Sequence, residues 1–476
     1  MNARLAKWCG LGLAGITGFS VAMTTAIGSE RLAFFKGADQ PLALVDDPRP
    51  ARSPESGRES GKGSRATYAE AGGGGERHAL ERAMRRLEQR ISRDRSDFEA
   101  RLLRGLIHFR RGAHDEALKD METLVEKAPE FHLAHLVRGD LLLSRSRAVT
   151  DVGDNGLISS MDTDSGDTDL SREALRHEAR VRLEGYLESL SPDRVPAALL
   201  ALGEDMETAI LVDKSRNRLY LYENAGPGEP PRRIRDYYVS TGQAEGNKFV
   251  EGDLRTPEGV YFVQRYIADS NLPDLYGKGA FTLNYPNAWD ERQGKTGYGI
   301  WLHGTESGFY SRPPLDSEGC VVMPNLDLEA IKPHMEPGRT PVIIAERQEW
   351  LTLDAWKERR AELEAAVEGW RGDWESMDTE RYLAWYDEEF WSPNRERAEW
   401  GAYKELVLAG KTEQSIELDN LTLLGYPAGA SDGERLVVAR FRQDYDSNNY
   451  SAVMNKRLYL RRDHDGWNVL FEGPAD

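Results

Sequence analysis

The sequence predicts a multidomain α+β chain: a helical repeat-like region, a β-rich central domain, and a C-terminal domain in which helices precede an antiparallel sheet. Three observations point there. The 476 residues exceed one domain and suit two to four. The hydrophobic period changes twice, from three-and-four spacing before residue 203 to short strand-like runs from Ala209, and again beyond Trp370. The hydrophobic fraction of 39% with 30% charged residues suits soluble globular domains. Lys+Arg 62 against Asp+Glu 80 gives −18, a surface that repels phosphate backbones and excludes nucleic acid as a main partner. Only one stretch is apolar enough to meet a bilayer, so a polytopic membrane protein is excluded. With two cysteines, one of them in that stretch, no disulfide framework is available.

Taken in order, Arg4 and Lys7 precede an uncharged run from Trp8 to Ser29, which as a helix would be about 33 Å long. Residues 1–30 read as a signal anchor, with a cleaved signal peptide as the alternative. Either reading places the rest outside the cytoplasm, in the periplasm, and the anchor attaches it to the inner membrane through residues 8–29. Residues 31–75 mix Gly, Pro, Ser and charges of both signs, end in Gly72–Gly75, and read as a flexible linker. The helical region, 76–203, opens with Leu80, Met84, Leu87 and Ile91. Within it Gly105, His108, Ala117, Met121, Leu124 and Pro129 have the spacing of a tetratricopeptide repeat, and Gly139 follows Gly105 by one repeat length of about 34 residues. Asp151–Asp169 reads as a solvated loop before helix resumes over Ser171–Leu190. An ordinary helical hairpin bundle fits this pattern equally well.

The central domain, 206–347, shows strands at Ala209–Val212, Arg218–Tyr222, Tyr237–Ser240, Gly259–Val263, Gly299–His303 and Thr340–Ile344, with a hairpin turn at Asp213–Asn217. A charged linker helix is expected over 348–367. The C-terminal domain, 368–476, begins with helices through Thr379–Trp391. It continues into strands at Val437–Tyr445, Met454–Leu460 and Trp467–Phe471, the last two joined at Asp463–Gly466.

Chemistry concentrates in Gly299-Ile300-Trp301-Leu302-His303-Gly304-Thr305 and Ser317-Glu318-Gly319-Cys320-Val321-Val322-Met323. A thiol nucleophile needs a nearby base and donors for the oxyanion that forms when it attacks a carbonyl. His303 ends an apolar strand, and the Gly304 carbonyl is placed to bond the far imidazole nitrogen and set its tautomer. Gly319 lets the chain bend so that amides around Glu318–Cys320 converge on one oxygen. These strings, with Gly252–Gly259, Ser240-Thr241-Gly242 and Lys248, resemble the YkuD-type L,D-transpeptidase family over about residues 206–346. The resemblance implies Cys320 as nucleophile, His303 as general base, Gly304 as the orienting carbonyl, and Gly319 and Cys320 as the oxyanion hole. It also implies peptidoglycan stem peptides as substrate, attacked after the L-centre of diaminopimelate.

Arg312, in a loop stiffened by Pro313 and Pro314, is expected to dock a substrate carboxylate, with Tyr310 and Ser317 completing the binding set. Two positions depart from the family: many members have His where Glu318 stands and Arg where Val322 stands. A carboxylate beside the thiol raises its pKa, and a base titrating like an ordinary histidine predicts activity that falls between pH 8 and 5. His334 is a rival base. No cofactor is expected, and no metal site, since the histidines of the helical region lack partners at ligand spacing. The C-terminal part resembles the SnoaL-like cone, which implies an interaction or dimerisation module that, with the helical region, would recruit other cell-wall proteins. A hydrolase of the same fold and a non-catalytic cell-wall scaffold are the competing functions.

Overall fold

The computed structural model of the chain describes residues 68–146, 172–188, 194–427, 435–464 and 466–475, with Val149 and Val152. The expected signal anchor, the linker up to residue 67 and, Val152 apart, the Asp151–Asp169 loop lie outside the described residues.

Five helices, Tyr68–Arg93, Phe98–Arg110, His114–Lys127, His132–Leu143 and Arg172–Glu188, make up the described N-terminal part. Their facing stripes, including Leu87, Leu103, Met121, Val137 and Leu183, share one core. Asp97 caps the second helix by accepting from the Ala100 amide at 2.9 Å. At Gly105 the second and third helices meet so closely that a Cβ would collide with Met121.

Both expected limits of this region shift. The first helix already begins at Tyr68, inside the expected linker, because extending an existing helix adds one hydrogen bond per residue fixed. At the other end, the apolar Val195–Leu202 run forms two short strands rather than helix, a distinction that a run this short does not carry in its periodicity. Val195–Pro196 pairs with Trp350–Leu351, and Leu199–Ala201 joins the C-terminal sheet.

The central domain is an eight-stranded mixed sheet in the order Val321–Val322, Trp301–His303, Gly279–Leu283, Gly259–Ala268, Pro341–Ala345, Thr208–Asp213, Arg218–Glu223, Arg232–Tyr238. Its middle strands Thr208–Asp213, Pro341–Ala345 and Gly279–Leu283 are buried at every position, with both faces covered. Ile210, Val212, Leu219, Leu221, Tyr261 and Val263 enter one core. The alternate residues Ala209, Leu211, Tyr220, Tyr222, Val260 and Phe262 enter another, which they share with Leu424, Tyr426, Tyr459 and Phe471 of the C-terminal domain.

The C-terminal sheet has seven strands in the order Arg395–Glu396, Tyr386–Ser392, Trp467–Pro474, Tyr450–Arg462, Arg435–Ser447, Gln414–Gly425, Leu199–Ala201. The expected linker helix is longer and is no linker. It runs over Leu353–Glu375 from a Thr352 cap and buries Trp356, Leu363, Val367, Trp370 and Trp374 in the cone core. Helix also stops at Ala384, and Tyr386–Ser392 is a strand rather than the helix expected there, alongside Trp467–Pro474.

Candidate active site

Strand register places the candidate residues Cys320 and His303 on one face of the sheet. Along the Trp301–His303 strand, side chains alternate: Leu302 enters the central core, leaving Trp301 and His303 on the other face. Val321–Val322 runs parallel beside it, Val321 opposite Leu302 and Val322 opposite His303. Cys320 precedes that strand and so comes level with Trp301, on the face that carries His303. Its half-buried thiol donates to the Gly299 carbonyl at 3.6 Å.

The turn delivering Cys320 is built from its own motif. The Ser317 hydroxyl donates to the Cys320 carbonyl at 2.7 Å and accepts from the Gly319 amide at 3.1 Å. Gly319 has φ +126°, and a Cβ there would lie 2.7 Å from the Arg255 carbonyl, so glycine is required twice over. The Arg255 segment is itself braced. Asp253 accepts from Lys248 at 2.8 Å and from the amides of Phe249, Val250 and Arg255. Burial pushes its carboxyl up, but these donors win and hold it at about 2. Thr256 in turn takes the Gly242 amide at 2.9 Å, which joins the Ser240-Thr241-Gly242 motif to the same brace.

His303 is buried, and its Nδ1 lies 2.7 Å from the Gly304 carbonyl. A carbonyl only accepts, so Nδ1 carries the proton and Nε2 presents a lone pair. Burial lowers the imidazole to about 4, against the Gly304 bond, and the Arg312 charge adds to the lowering. Burial likewise raises the thiol to about 11; the Trp301 amide opposes this, Glu318 adds to it, and Arg312 and Lys248 oppose it. Both groups therefore rest neutral at pH 7, not as an ion pair.

Two contributors carried no sequence signal. Asn325, at the start of the Asn325–Ile331 helix, donates to the Thr305 carbonyl at 2.7 Å and accepts from the Lys278 amide at 2.9 Å. It fills the space where a Cβ on Gly304 would sit. The Tyr276 ring packs tilted against Trp301 and edge-on to His303, with ring centroids 4.9 and 5.0 Å away. The Cys320 and Glu318 charges are felt at its phenol, which burial above all holds up.

The expected binding set is redistributed. Arg312 is near enough to act on both Cys320 and His303, but its guanidinium is bound by Glu306 at 2.7 and 3.0 Å and donates to the Asp316 carbonyl at 3.3 Å, so it is not free for a substrate carboxylate. Tyr310 is no binding residue: its ring is buried in the helical core, stacked on Phe131 at 4.1 Å. Ser317 is buried and spends its hydroxyl on the turn. Of the expected oxyanion pair, the Gly319 amide is spent on the Ser317 hydroxyl, which leaves the Cys320 amide as the candidate donor. His334 ends the short 3-10 turn Lys332–His334, ahead of the Pro341–Ala345 strand that lies three places from Trp301–His303 in the sheet, and its carbonyl accepts from Thr340 at 3.2 Å. Among the described residues no group of three or more His, Cys, Asp or Glu is placed to hold a metal ion, and no helix is long and apolar enough to cross a membrane.

Residues 207–344 match the YkuD L,D-transpeptidase catalytic domain, and residues 362–473 match the Cds6 C-terminal NTF2-like domain. The structure of Bdellovibrio bacteriovorus Bd1075 is 30% identical, with a TM-score of 0.52 over 60% of this chain and 98% of that one. The helical cell shape determining protein Pgp2 from Campylobacter jejuni is 27% identical, with a TM-score of 0.50 over 58% of this chain and 95% of that one. A comparison with curated proteins gives no significant match. With the catalytic-domain match lying over the Cys320–His303 site and nearly the whole length of a 30% identical relative covered, the chain belongs to the YkuD family of L,D-transpeptidase-type cell-wall enzymes, with an NTF2-like C-terminal domain.

Proposed function

We propose that the chain is an exported cysteine L,D-transpeptidase that acts on peptidoglycan stem peptides in the periplasm, tethered through residues 8–29. The observation that carries this reading is the parallel register that puts Cys320 on the face of the sheet that carries His303, whose tautomer the Gly304 carbonyl holds. Nε2 of the neutral imidazole takes the thiol proton as sulfur attacks the amide carbon after the L-centre of the stem, and the Cys320 amide meets the oxyanion. The imidazolium then protonates the departing amine, leaving a thioester on Cys320. An amine of a second stem gives its proton to His303 and attacks the thioester, forming a new amide and restoring the thiol. Burial favours this sequence because a neutral pair is the state that exchanges one proton without first discharging an ion pair.

Water in place of that amine would make the same acyl-enzyme a hydrolase. Incubating the full chain with muropeptides and an added D-amino acid, followed by mass spectrometry, separates exchanged stems from trimmed ones. Product formed by Cys320→Ala would overturn both. Pgp2 of C. jejuni is a cell shape determining protein, and by extension loss of this chain is expected to alter cell shape.

A further inference from the structure

The loop between the two catalytic motifs is held from outside the catalytic domain. Thr305, two residues after His303, closes its base by donating to the carbonyls of Phe309 and Tyr310 at 3.0 and 3.3 Å. Beyond that point three consecutive residues are each gripped separately. The Tyr310 ring stacks on Phe131 at 4.1 Å and its amide donates to the Glu130 carbonyl at 3.2 Å. The Ser311 hydroxyl donates to Glu178 at 2.8 Å. The Arg312 carbonyl accepts from the Tyr238 hydroxyl at 2.8 Å, and the Tyr238 ring lies 3.6 Å from the Arg182 guanidinium.

Phe131, Glu178 and Arg182 all belong to the helical region, and they form one fully buried unit. Arg182 bonds Glu178 at 2.7 and 2.9 Å, pairs with Glu99, and stands over Phe131. Glu99 then reaches across to Arg218 of the central sheet at 2.8 Å. Taking these charges out of water costs several kcal/mol for each ion unless geometry and hydrogen bonding repay it, so a network this complete is expected to hold one arrangement only. A module that merely recruited partners would need none of this wiring to the active-site loop.

We propose that the helical region is a working part of the active site, with Phe131 and Glu178 as positioning residues that set Arg312 beside the Cys320–His303 pair. The inference rests on the reading of Cys320 as the nucleophile. Around the thiol stand Arg312 and Lys248, which favour its ionised form, Glu318, which opposes it, and Tyr276 and the neutral His303; Arg312 itself is balanced by Glu306 and lies against the Asp316 carbonyl. Removing or displacing Arg312 therefore makes the thiol harder to ionise.

The test is the rate at which iodoacetamide alkylates Cys320 in the full-length chain at pH 9, followed on the Cys320 peptide by mass spectrometry. It needs no turnover, so it separates failure of this inference from failure of the proposed activity. Arg312→Gln is expected to slow alkylation about threefold, the equivalent of ~0.5 pKa unit. Ser311→Ala, which removes only the hydroxyl bonded to Glu178, and Phe131→Leu are each expected to slow it in the same direction, and to add nothing further in the Arg312→Gln background. Unchanged rates in both single variants would overturn the proposal, as would equal slowing with and without Arg312.

Discussion

Tyr276 stands edge-on to His303, with ring planes at 71° and centroids 5.0 Å apart, while its backbone carbonyl accepts from the Gly304 amide at 3.2 Å. One residue thus walls the imidazole from the side and braces the peptide that orients it. Tyr276→Ala is expected to lower kcat about tenfold through a misplaced base, with Tyr276→Phe close to wild type. Steady-state kinetics on muropeptides checks this; an alanine variant with unchanged kcat would remove Tyr276 from the site.

The pH profile follows from burial. With the imidazole lowered to about 4, His303 stays neutral and able to accept a proton throughout pH 5–8. The fall expected over that range for an ordinary histidine therefore moves to about pH 4. At the other end, a thiol raised to about 11 keeps gaining thiolate, so iodoacetamide alkylation should rise about tenfold per unit between pH 7 and 10. A plateau by pH 8 would show that the thiol is not held up in this way.

Asp327 offers a stability test. Burial raises its carboxyl to about 7, against the pull of Arg235 and with the help of Asp97 and Glu99, and one of its oxygens has no hydrogen-bond partner. A carboxyl whose folded pKa lies above its unfolded value stabilises the fold fully at low pH, and that contribution is lost as pH rises through about 7. Asp327→Asn should therefore be more stable than wild type at pH 8, by up to about 4 kcal/mol, and nearly equal to it at pH 4. Denaturant melts at the two pH values decide; a destabilised variant at pH 8 would contradict the sign.

The cone is no detachable appendage, since Tyr426, Leu424, Tyr459 and Phe471 cover one face of the catalytic sheet. A chain ending at residue 347 would bare Leu211, Tyr220, Val260 and Phe262, and is expected to aggregate. Size-exclusion chromatography of that truncation tests the point; a soluble monomer that unfolds cooperatively would refute it.

What was legible from sequence was local. His303-Gly304 and Ser317-x-Gly319-Cys320 carry their own turn geometry, and the glycine positions suggested those bends. The strands Thr208–Asp213 and Arg218–Glu223 announced themselves through their apolar centres, Ala209–Val212 and Leu219–Tyr222. Gln414–Gly425 did not, because its exposed and half-buried positions interrupt any alternation. Tyr310 was misplaced for a different reason: a tyrosine among prolines looks like a loop residue facing solvent, and nothing nearby in sequence tells that Phe131, far upstream, covers it. Asn325 and Tyr276 act through packing across the fold, which spacing does not encode.

The short strand Leu199–Ala201 has a neighbour that the ribosome makes long afterwards: the Gly203 amide donates to the hydroxyl of Thr422, 219 positions further on. The catalytic domain is therefore threaded through the cone as an insertion between one edge of its sheet and the rest. The cone cannot close until the Trp467–Pro474 strand has been made, and a graft of this fold into another protein has to carry residues 195–475 as a single block.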